Sequence, residues 1–372
     1  MDFTDLGRTH AEQLAWPDDD VVRWAAGIIS VPKREPADSF VLHAPLELMA
    51  RTALLELLDE DDRADARARI IHLAVQYADA GEPVEPPAPV SPRSSEQAVT
   101  TLLGAISSSD LGEIDRWARW LGENLDHSSI EQSLGSRLVS SLAAAAHATI
   151  GLELFGRSGA ISGAILRGAL REVGRHPDWH VEIHDVVDGD RPLVDALVEV
   201  PYLGAPDSDF IRPMVMHGSQ IARRLLANAS ADPVEATRAL SRVAAWSMLQ
   251  ESDRYTPYGW THALTIPQSV MSIDVDPSIA VAVAASQLVG FRASMGTVTL
   301  SPTVSIPAAS ELDWRRLSAS ASSHHDAHFV KYTLACRDAA DADPEESGLY
   351  LAAARRLNEF WRERASGEPA KS

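Results

Sequence analysis

Three histidines and a lysine lie close together at residues 322–336 of the 372-residue chain. In a helix, His328 and Lys331 are three positions apart and lie on one face. The neighbouring Phe329 and Tyr332 indicate that this stretch is buried. Burial disfavours the charged form of an amine. We therefore expect Lys331 to be paired with an acid, kept neutral or chemically modified, and each of these states points to chemistry.

Further histidines stand on or beside apolar helical segments elsewhere in the chain. With the one already described, the set is His43, His147, His217, His262 and His328. Their wide spacing excludes a local motif such as His-Glu-x-x-His, but ligands from separate helices can converge in the core of a bundle. One such histidine is more often a core residue than a ligand, whereas five in similar settings favour a metal site. Neutral imidazole binds iron, zinc and copper, so the metal stays open.

Other arrangements of reactive residues have less support. His180 and His184 have the spacing of two helical ligands, but they follow a turn and precede a polar run, which is typical of a solvent-facing cluster. The chain has no Gly-x-Ser-x-Gly elbow and no Gly-x-Gly-x-x-Gly loop. The single cysteine, Cys336, excludes an internal disulfide and a multi-cysteine metal site. We expect it to be buried and inert.

Composition narrows the class of protein. Acidic residues outnumber basic ones, 53 against 33, and the net charge of −20 disfavours nucleic acid as a partner. The first residues lack the basic region and apolar core of a signal peptide. No run approaches the roughly 18 apolar residues of a membrane span. We therefore expect no membrane partner and a cytoplasmic location.

Apolar residues recur at intervals of three and four along most of the chain, which predicts a mainly α fold, a multi-helix bundle. The predicted helices are 18–29, 45–58, 62–80, 96–107, 111–123, 136–154, 160–174, 192–200, 213–228, 233–249, 277–291, 324–340 and 345–364.

Two segments interrupt the helical pattern. Residues 81–92 contain five prolines and cannot continue a helix. We therefore predict a linker at 81–95 between an N-terminal helical subdomain at 1–80 and a helical metal-site domain at 96–372. Residues 296–307 alternate as a strand does but contain and end on prolines, so this segment is either a short hairpin or a loop.

The C-terminal motif resembles that of the questin oxidase-like family, whose members include enzymes that oxidise anthraquinones. The family carries an Asp-x-His-x-x-Lys signature with a later Asp-Pro. The chain has Asp326, His328 and Lys331 at the same spacing, followed by Asp343 and Pro344.

Weaker matches to the same family are spread over most of the chain. The stretch from His147 through Gly151 to Glu153 is similar to the family's His-Leu-Gly-Tyr-Gly-Leu-Glu helix, and His217 followed by Gly218 resembles a later His-Gly segment.

The N-terminal match is incomplete. His43 falls where the family has a His-x-x-His-His element, but Leu46 and Glu47 occupy the places of the later histidines. Either His43 alone serves as a ligand, or this end of the site has changed. His262 matches the family in its position along the chain more than in the residues that surround it.

The resemblance implies a mononuclear non-haem iron centre with dioxygen as co-substrate. It also implies imidazole ligands and a carboxylated lysine, carried over here to His147, His217, His262, His328 and Lys331, with His43 as a further candidate. The implied reaction is oxidative carbon–carbon cleavage or ring opening of an aromatic, quinone-like substrate of secondary metabolism. The need for NADPH as an external reductant is left open.

Aromatic residues surround His262 at a density well above the chain's average, and they include Trp246, Tyr255, Tyr258 and Trp260. We predict that His262, Tyr258 and Trp260 form the catalytic group, in which flat rings orient a planar substrate. The equally supported alternative is that the rings fill the core between helices.

Two other functional classes remain open at this stage. One is a zinc-dependent hydrolase or lyase on the same histidine and lysine site. The other is a non-catalytic helical binding protein in which the histidines are structural.

Overall fold

The computed structural model of the chain describes residues 10–181, 189–204, 206, 211–230, 232–250, 254–300, 306 and 308–366. The predicted mainly α fold is confirmed, since the described residues contain many helices and no β-strand, only isolated bridges. The chain forms two compact units. The first consists of residues 1–180 and 322–327, and the second of residues 181–321 and 328–372.

The first unit contains α1 to α9, numbered in chain order. They are Ala11–Leu14, Asp18–Ile29, Ser39–Leu55, Glu60–Asp79, Ser95–Ser107, Leu111–Asn124, His127–Leu138, His147–Phe155 and Arg167–Arg175. Two short 3-10 segments, Ala143–Ala146 and Gly163–Leu166, precede α8 and α9.

The second unit contains α10 to α17, apart from the residues at 322–327. They are Leu193–Val198, Ile211–Leu226, Pro233–Gln250, Gly259–Ser272, Pro277–Met295, Glu311–Ser323, Ala327–Ala342 and Ser347–Ser366. A 3-10 turn, Pro344–Glu346, joins the last two.

Helix α14 forms the centre of the second unit, because every residue from Ala280 to Met295 is buried. Its backbone approaches α11 closely, and a Cβ atom placed on Gly218 would lie 2.5 Å from the Cα atom of Gly290. By length and composition α14 could span a membrane, which corrects the expectation that no run is apolar enough. However, 89% of the apolar window is buried within the protein, as in a core helix.

Local signals account for the helices that the sequence predicts well. Helix α2 occupies the predicted residues. Pro17 precedes it, and the three aspartates in its first turn interact favourably with the positive end of the helix dipole. Helix α3 begins earlier than predicted because the Asp38 carboxylate caps it, accepting from the N–H of Val41 at 2.8 Å. The helix then runs through Pro45.

The prediction of one helix at 136–154 is wrong. Helix α7 ends at Leu138, and the next helix begins only at His147. Between them the N–H of Leu142 donates to the carbonyl of Trp179 at 2.8 Å. This tertiary contact overrides the high helix propensity of the alanines at 143–146.

The sequence did not predict the short helix α1, and it largely missed α7, α13 and α15. Helix α13 is buried on nearly all sides and contains Pro267, so it lacks the one-sided apolar pattern that reveals a surface helix.

Neither of the two irregular segments contains a helix or a strand among its described residues. No helix covers residues 81–94, which confirms that the prolines stop it, but these residues lie inside the first unit. The predicted boundary at 81–95 therefore differs from the division into two compact units. Residues 296–300 form no strand, and 301–305 and 307 lie outside the described residues.

The buried carboxylate of Asp343 links α12 to α17 within the second unit. Asp343 accepts two hydrogen bonds from Arg242, at 2.6 and 2.7 Å, and a third from the hydroxyl of Tyr350 at 2.8 Å. Burial alone raises the pKa of Asp343, but the hydrogen bonds from Arg242 and Tyr350 outweigh it and lower the pKa below its usual value. The Asp343-Pro344 pair thus has a structural role.

We predict that Asp343→Asn lowers the free energy of unfolding by about 2 kcal/mol, because it removes a charge-assisted pair of bonds from Arg242. Urea unfolding at pH 7 measures the loss. The matched control is Asp341→Asn, which changes an exposed pair with Arg337 and should cost less than about 0.5 kcal/mol. Equal losses in the two variants would contradict the structural role.

Candidate metal centre

His43 lies in the second turn of α3 and is buried. Its Nδ1 atom lies 2.5 Å from the carbonyl oxygen of Ser39, four residues earlier. Since a carbonyl oxygen only accepts hydrogen bonds, Nδ1 carries the proton. The Nε2 atom of neutral His43 therefore presents a lone pair.

His147 is the first residue of α8 and is also buried. The three residues before it, Ala144, Ala145 and Ala146, have φ angles of 51°, 51° and 60°. Such left-handed conformations cost an L-residue about 1–2 kcal/mol each. They turn the carbonyl of Ala144 onto the Nδ1 atom of His147 at 2.6 Å. This bond places the proton on Nδ1 and leaves a lone pair on Nε2.

The two Nε2 atoms of His43 and His147 lie 3.1 Å apart within the first unit. The rings meet edge to face, at an interplanar angle of 70°. Two lone pairs at this distance repel each other unless a proton or a cation lies between them. Both histidines are ligand candidates by geometry and burial, and a carbonyl on the far ring nitrogen is the usual support of a metal-bound imidazole.

The distance itself fits a shared ion. Two nitrogens bound at about 2.1 Å and about 90° apart on one ion lie about 3.0 Å from each other. The observed 3.1 Å is close to this value. A buried pair of histidines in the first unit could therefore hold a metal ion.

Glu47 is buried on α3, and the structure gives it a role other than that of a metal ligand. Its carboxylate accepts from the buried Arg51 at 2.9 Å and lies 3.4 Å from a guanidinium nitrogen of Arg69. These arginines also donate to carbonyls of residues 322–325, at 2.5 Å for His324. Burial lowers the pKa of Arg51, and the charge of Glu47 opposes this shift. The cluster fixes the segment that precedes α16.

The predicted catalytic residues of the second unit lie on or beside α13. The Nδ1 atom of His262 donates to the carbonyl of Tyr258, which again leaves Nε2 with a lone pair. The ring of His328 lies 5.0 Å from that of His262 and 4.8 Å from that of Tyr258, between centroids. The structure thus brings these three side chains together.

The aromatic residues near His262 differ in exposure. Trp260, Trp246 and Tyr255 are buried, and the guanidinium of Arg292 lies 5.6 Å from the Trp260 ring centre. Tyr258 is 54% exposed. Three of the four rings are therefore placed as core residues are, and a role in orienting a substrate stays a prediction for His262, Trp260 and Tyr258.

Lys331 is buried, with 4% of its surface exposed, and it lies on α16 with His328. The predicted burial of this lysine is confirmed, while its role as a ligand stays a prediction. Cys336 on the same helix is buried as expected. Burial raises the pKa of its thiol, which suits an inert residue.

His217 lies on α11, beside the glycine at which α11 meets α14. It is half-buried, and its Nε2 atom has no hydrogen-bond partner among the described residues.

His180, the rival candidate, lies in the first unit beside Arg137 and Ser140, with ring nitrogens 2.9 Å from the Arg137 guanidinium and 3.1 Å from the Ser140 hydroxyl. His184 lies outside the described residues.

The sequence indicates the histidines but not the backbone carbonyls that hold their rings. The carbonyls of Ser39 and Ala144 carry no side-chain signal. The left-handed alanines before His147 could not be recognised either, because alanine is the residue that most favours a right-handed helix.

Comparisons with known proteins gave no match: no family model matches the chain, and no curated protein and no solved structure is similar to it.

We predict that Ala145→Gly stabilises the protein by about 0.5–1 kcal/mol, because glycine adopts positive φ without strain. Differential scanning calorimetry measures the change in Tm. The control is Ala64→Gly on the exposed face of α4, which should cost about 1 kcal/mol. Destabilisation of both variants would show that the left-handed turn is not strained.

We predict that Glu47→Gln costs about 3–5 kcal/mol of stability, since it leaves Arg51 and Arg69 buried without their anion. Urea unfolding measures the loss. Glu56→Gln, at the exposed end of α3, should change stability by less than about 0.5 kcal/mol. A Glu47→Gln variant with almost unchanged stability would mean that the arginines are held by the carbonyls alone.

Proposed function

We propose that the chain is a questin oxidase-like non-haem iron oxygenase, which uses dioxygen for oxidative carbon–carbon cleavage or ring opening of an aromatic, quinone-like substrate. The observation that carries the proposal is the pair of Nε2 atoms of His43 and His147, 3.1 Å apart. The C-terminal signature around His328 and Lys331 adds the family resemblance.

The first unit supplies a prepared pair of ligands. Backbone carbonyls of Ser39 and Ala144 hold the Nδ1 protons of His43 and His147. Both rings keep this tautomer without any rearrangement, so binding costs little ordering of side chains. Burial of both imidazoles also limits the access of bulk water to them.

The second unit carries the other residues that the resemblance implies as ligands. They are His217, His262, His328 and Lys331. Of these, His262 has the same support as the first pair, a bond from Nδ1 to a backbone carbonyl. We propose each of them as a metal ligand on the basis of the resemblance.

We propose that the Lys331 amine is carboxylated to a carbamate. A neutral lysine amine adds carbon dioxide and releases a proton, which replaces a costly buried cation by an anionic oxygen ligand. The burial of Lys331 supports this proposal, because a buried ammonium is the form most destabilised by its surroundings.

When bound, an iron ion with an open coordination position supplies the redox chemistry that dioxygen needs. The chain's own residues bind and orient the aromatic substrate. Tyr258, exposed and in contact with the His328 ring, is proposed to meet the aromatic substrate, with His262 and Trp260 beside it. NADPH is a proposed external reductant, and the cytoplasm is the proposed location.

Metal content tests the proposal first. Protein purified without an affinity tag should carry about one iron atom per chain, and His147→Ala and Lys331→Ala should each lower the iron content by about tenfold or more. The control is His176→Ala, since His176 stacks on Trp179 outside the ligand set. Circular dichroism verifies that every variant is folded.

The same preparation is then screened for dioxygen consumption with quinones. Iron that is lost in the ligand variants, together with substrate-dependent oxygen uptake, would support the oxygenase. Zinc in place of iron, with activity independent of oxygen, would indicate a hydrolase or lyase. Folded protein without metal in any form would contradict the proposal and leave a non-catalytic binding protein whose histidine pair shares a proton.

A further inference from the structure

A narrow crevice in the first unit reaches His147. It lies among α3, α8 and α9 and encloses a volume of about 30 Å³, which is room for only one or two molecules of water size. Most of its lining is aliphatic, and the contributing residues include Val41, Leu42, Leu46, Met49, Ile165 and Leu166.

The charged residues at the crevice are already bonded to the protein. The Nζ atom of Lys33 donates to the carbonyls of Ala78 and Gly81, at 3.2 and 3.3 Å. The carboxylate of Glu172 accepts from Arg175 at 3.0 Å and from a backbone N–H. A guanidinium nitrogen of Arg171, which also lines the crevice, donates to the carbonyl of Leu111 at 3.1 Å. Each charged side chain of the lining thus has a partner in the protein, and most of the remaining lining is apolar.

Helix α8 brings the crevice to the candidate metal ligand. His147 and Gly151 are four residues apart and lie on one face of α8, and both line the crevice. A Cβ atom at Gly151 would lie 3.3 Å from Leu46 and 3.5 Å from Leu166. The glycine thus lets two leucines close around the space beside His147 and keeps it narrow.

We propose that this crevice binds dioxygen and delivers it to the metal ion at His147. The inference rests on the proposed oxygenase function. Narrow aliphatic cavities tend to stay dry and bind small apolar species such as xenon. Dioxygen is small, apolar and needs no hydrogen bond, so it fits the mainly aliphatic lining and the small volume. The small volume favours dioxygen over an aromatic substrate as the occupant.

Two substitutions change the volume of the crevice in opposite directions. Gly168 lines the crevice, and a Cβ atom there meets nothing within 4 Å, so Gly168→Leu fills space without a backbone clash. Leu46→Ala widens it. The matched control is Gly104→Leu, at another helical glycine with open space around it and outside the crevice.

Xenon binding to the metal-free protein tests the inference without reference to activity. Under xenon pressure, methyl resonances of Met49 and Leu166 should shift in the wild type. The shifts should vanish in Gly168→Leu, increase in Leu46→Ala and persist in Gly104→Leu. Absent shifts in the wild type, or unchanged shifts in Gly168→Leu, would overturn the inference.

Oxygen kinetics of the metal-loaded protein separate this inference from the proposed function. Gly168→Leu should raise the KM for dioxygen several-fold relative to Gly104→Leu, while the KM for the aromatic substrate is the same in both. Xenon binding without any oxygen uptake would refute the oxygenase and leave a gas-binding crevice. Oxygen uptake with equal KM values for dioxygen in both variants would refute the crevice and leave the oxygenase.

Discussion

Two lone pairs that face each other at 3.1 Å, on the Nε2 atoms of His43 and His147, are the constraint on which the candidate site depends. Each imidazole is fixed by a carbonyl on its far nitrogen, from Ser39 in one case and Ala144 in the other. Neither ring can relieve the repulsion by moving its proton without losing that bond. A cation between the two nitrogens relieves it directly, and the spacing is that of two neighbouring ligands on one ion.

The arrangement of the two histidines requires strained backbone conformations in the first unit. The alanines before His147 adopt left-handed conformations, and such strain persists where the surrounding structure overrides it, often at functional sites. The Asp38 cap starts α3 early enough to place His43 in a regular turn. Glu47, one turn after His43 on α3, binds Arg51 and Arg69. Its carboxylate therefore supports the segment before α16 rather than supplying a ligand.

Much of the fold could be predicted from the sequence, because prolines, acidic first turns and apolar spacing act locally, as at α2. The break before His147 could not, since a run of alanines favours a continuous helix, whereas contacts with Trp179 and His180 stabilise the break. Likewise, the sequence indicated His43, His147 and a buried Lys331, but not the proton positions. Those follow from backbone carbonyls, whose placement depends on tertiary structure. The rings of Trp246, Tyr255 and Trp260 were equally consistent with a substrate wall and a core, and their burial matches the core.

An X-ray crystal structure with anomalous data at the iron edge would show whether a metal ion lies between the two histidines. We expect an anomalous peak at about 2.1 Å from the Nε2 atoms of both His43 and His147, with their Nδ1 atoms still bonded to the carbonyls of Ser39 and Ala144. A structure without such a peak, in which the two nitrogens keep their short separation by sharing a proton, would contradict this expectation.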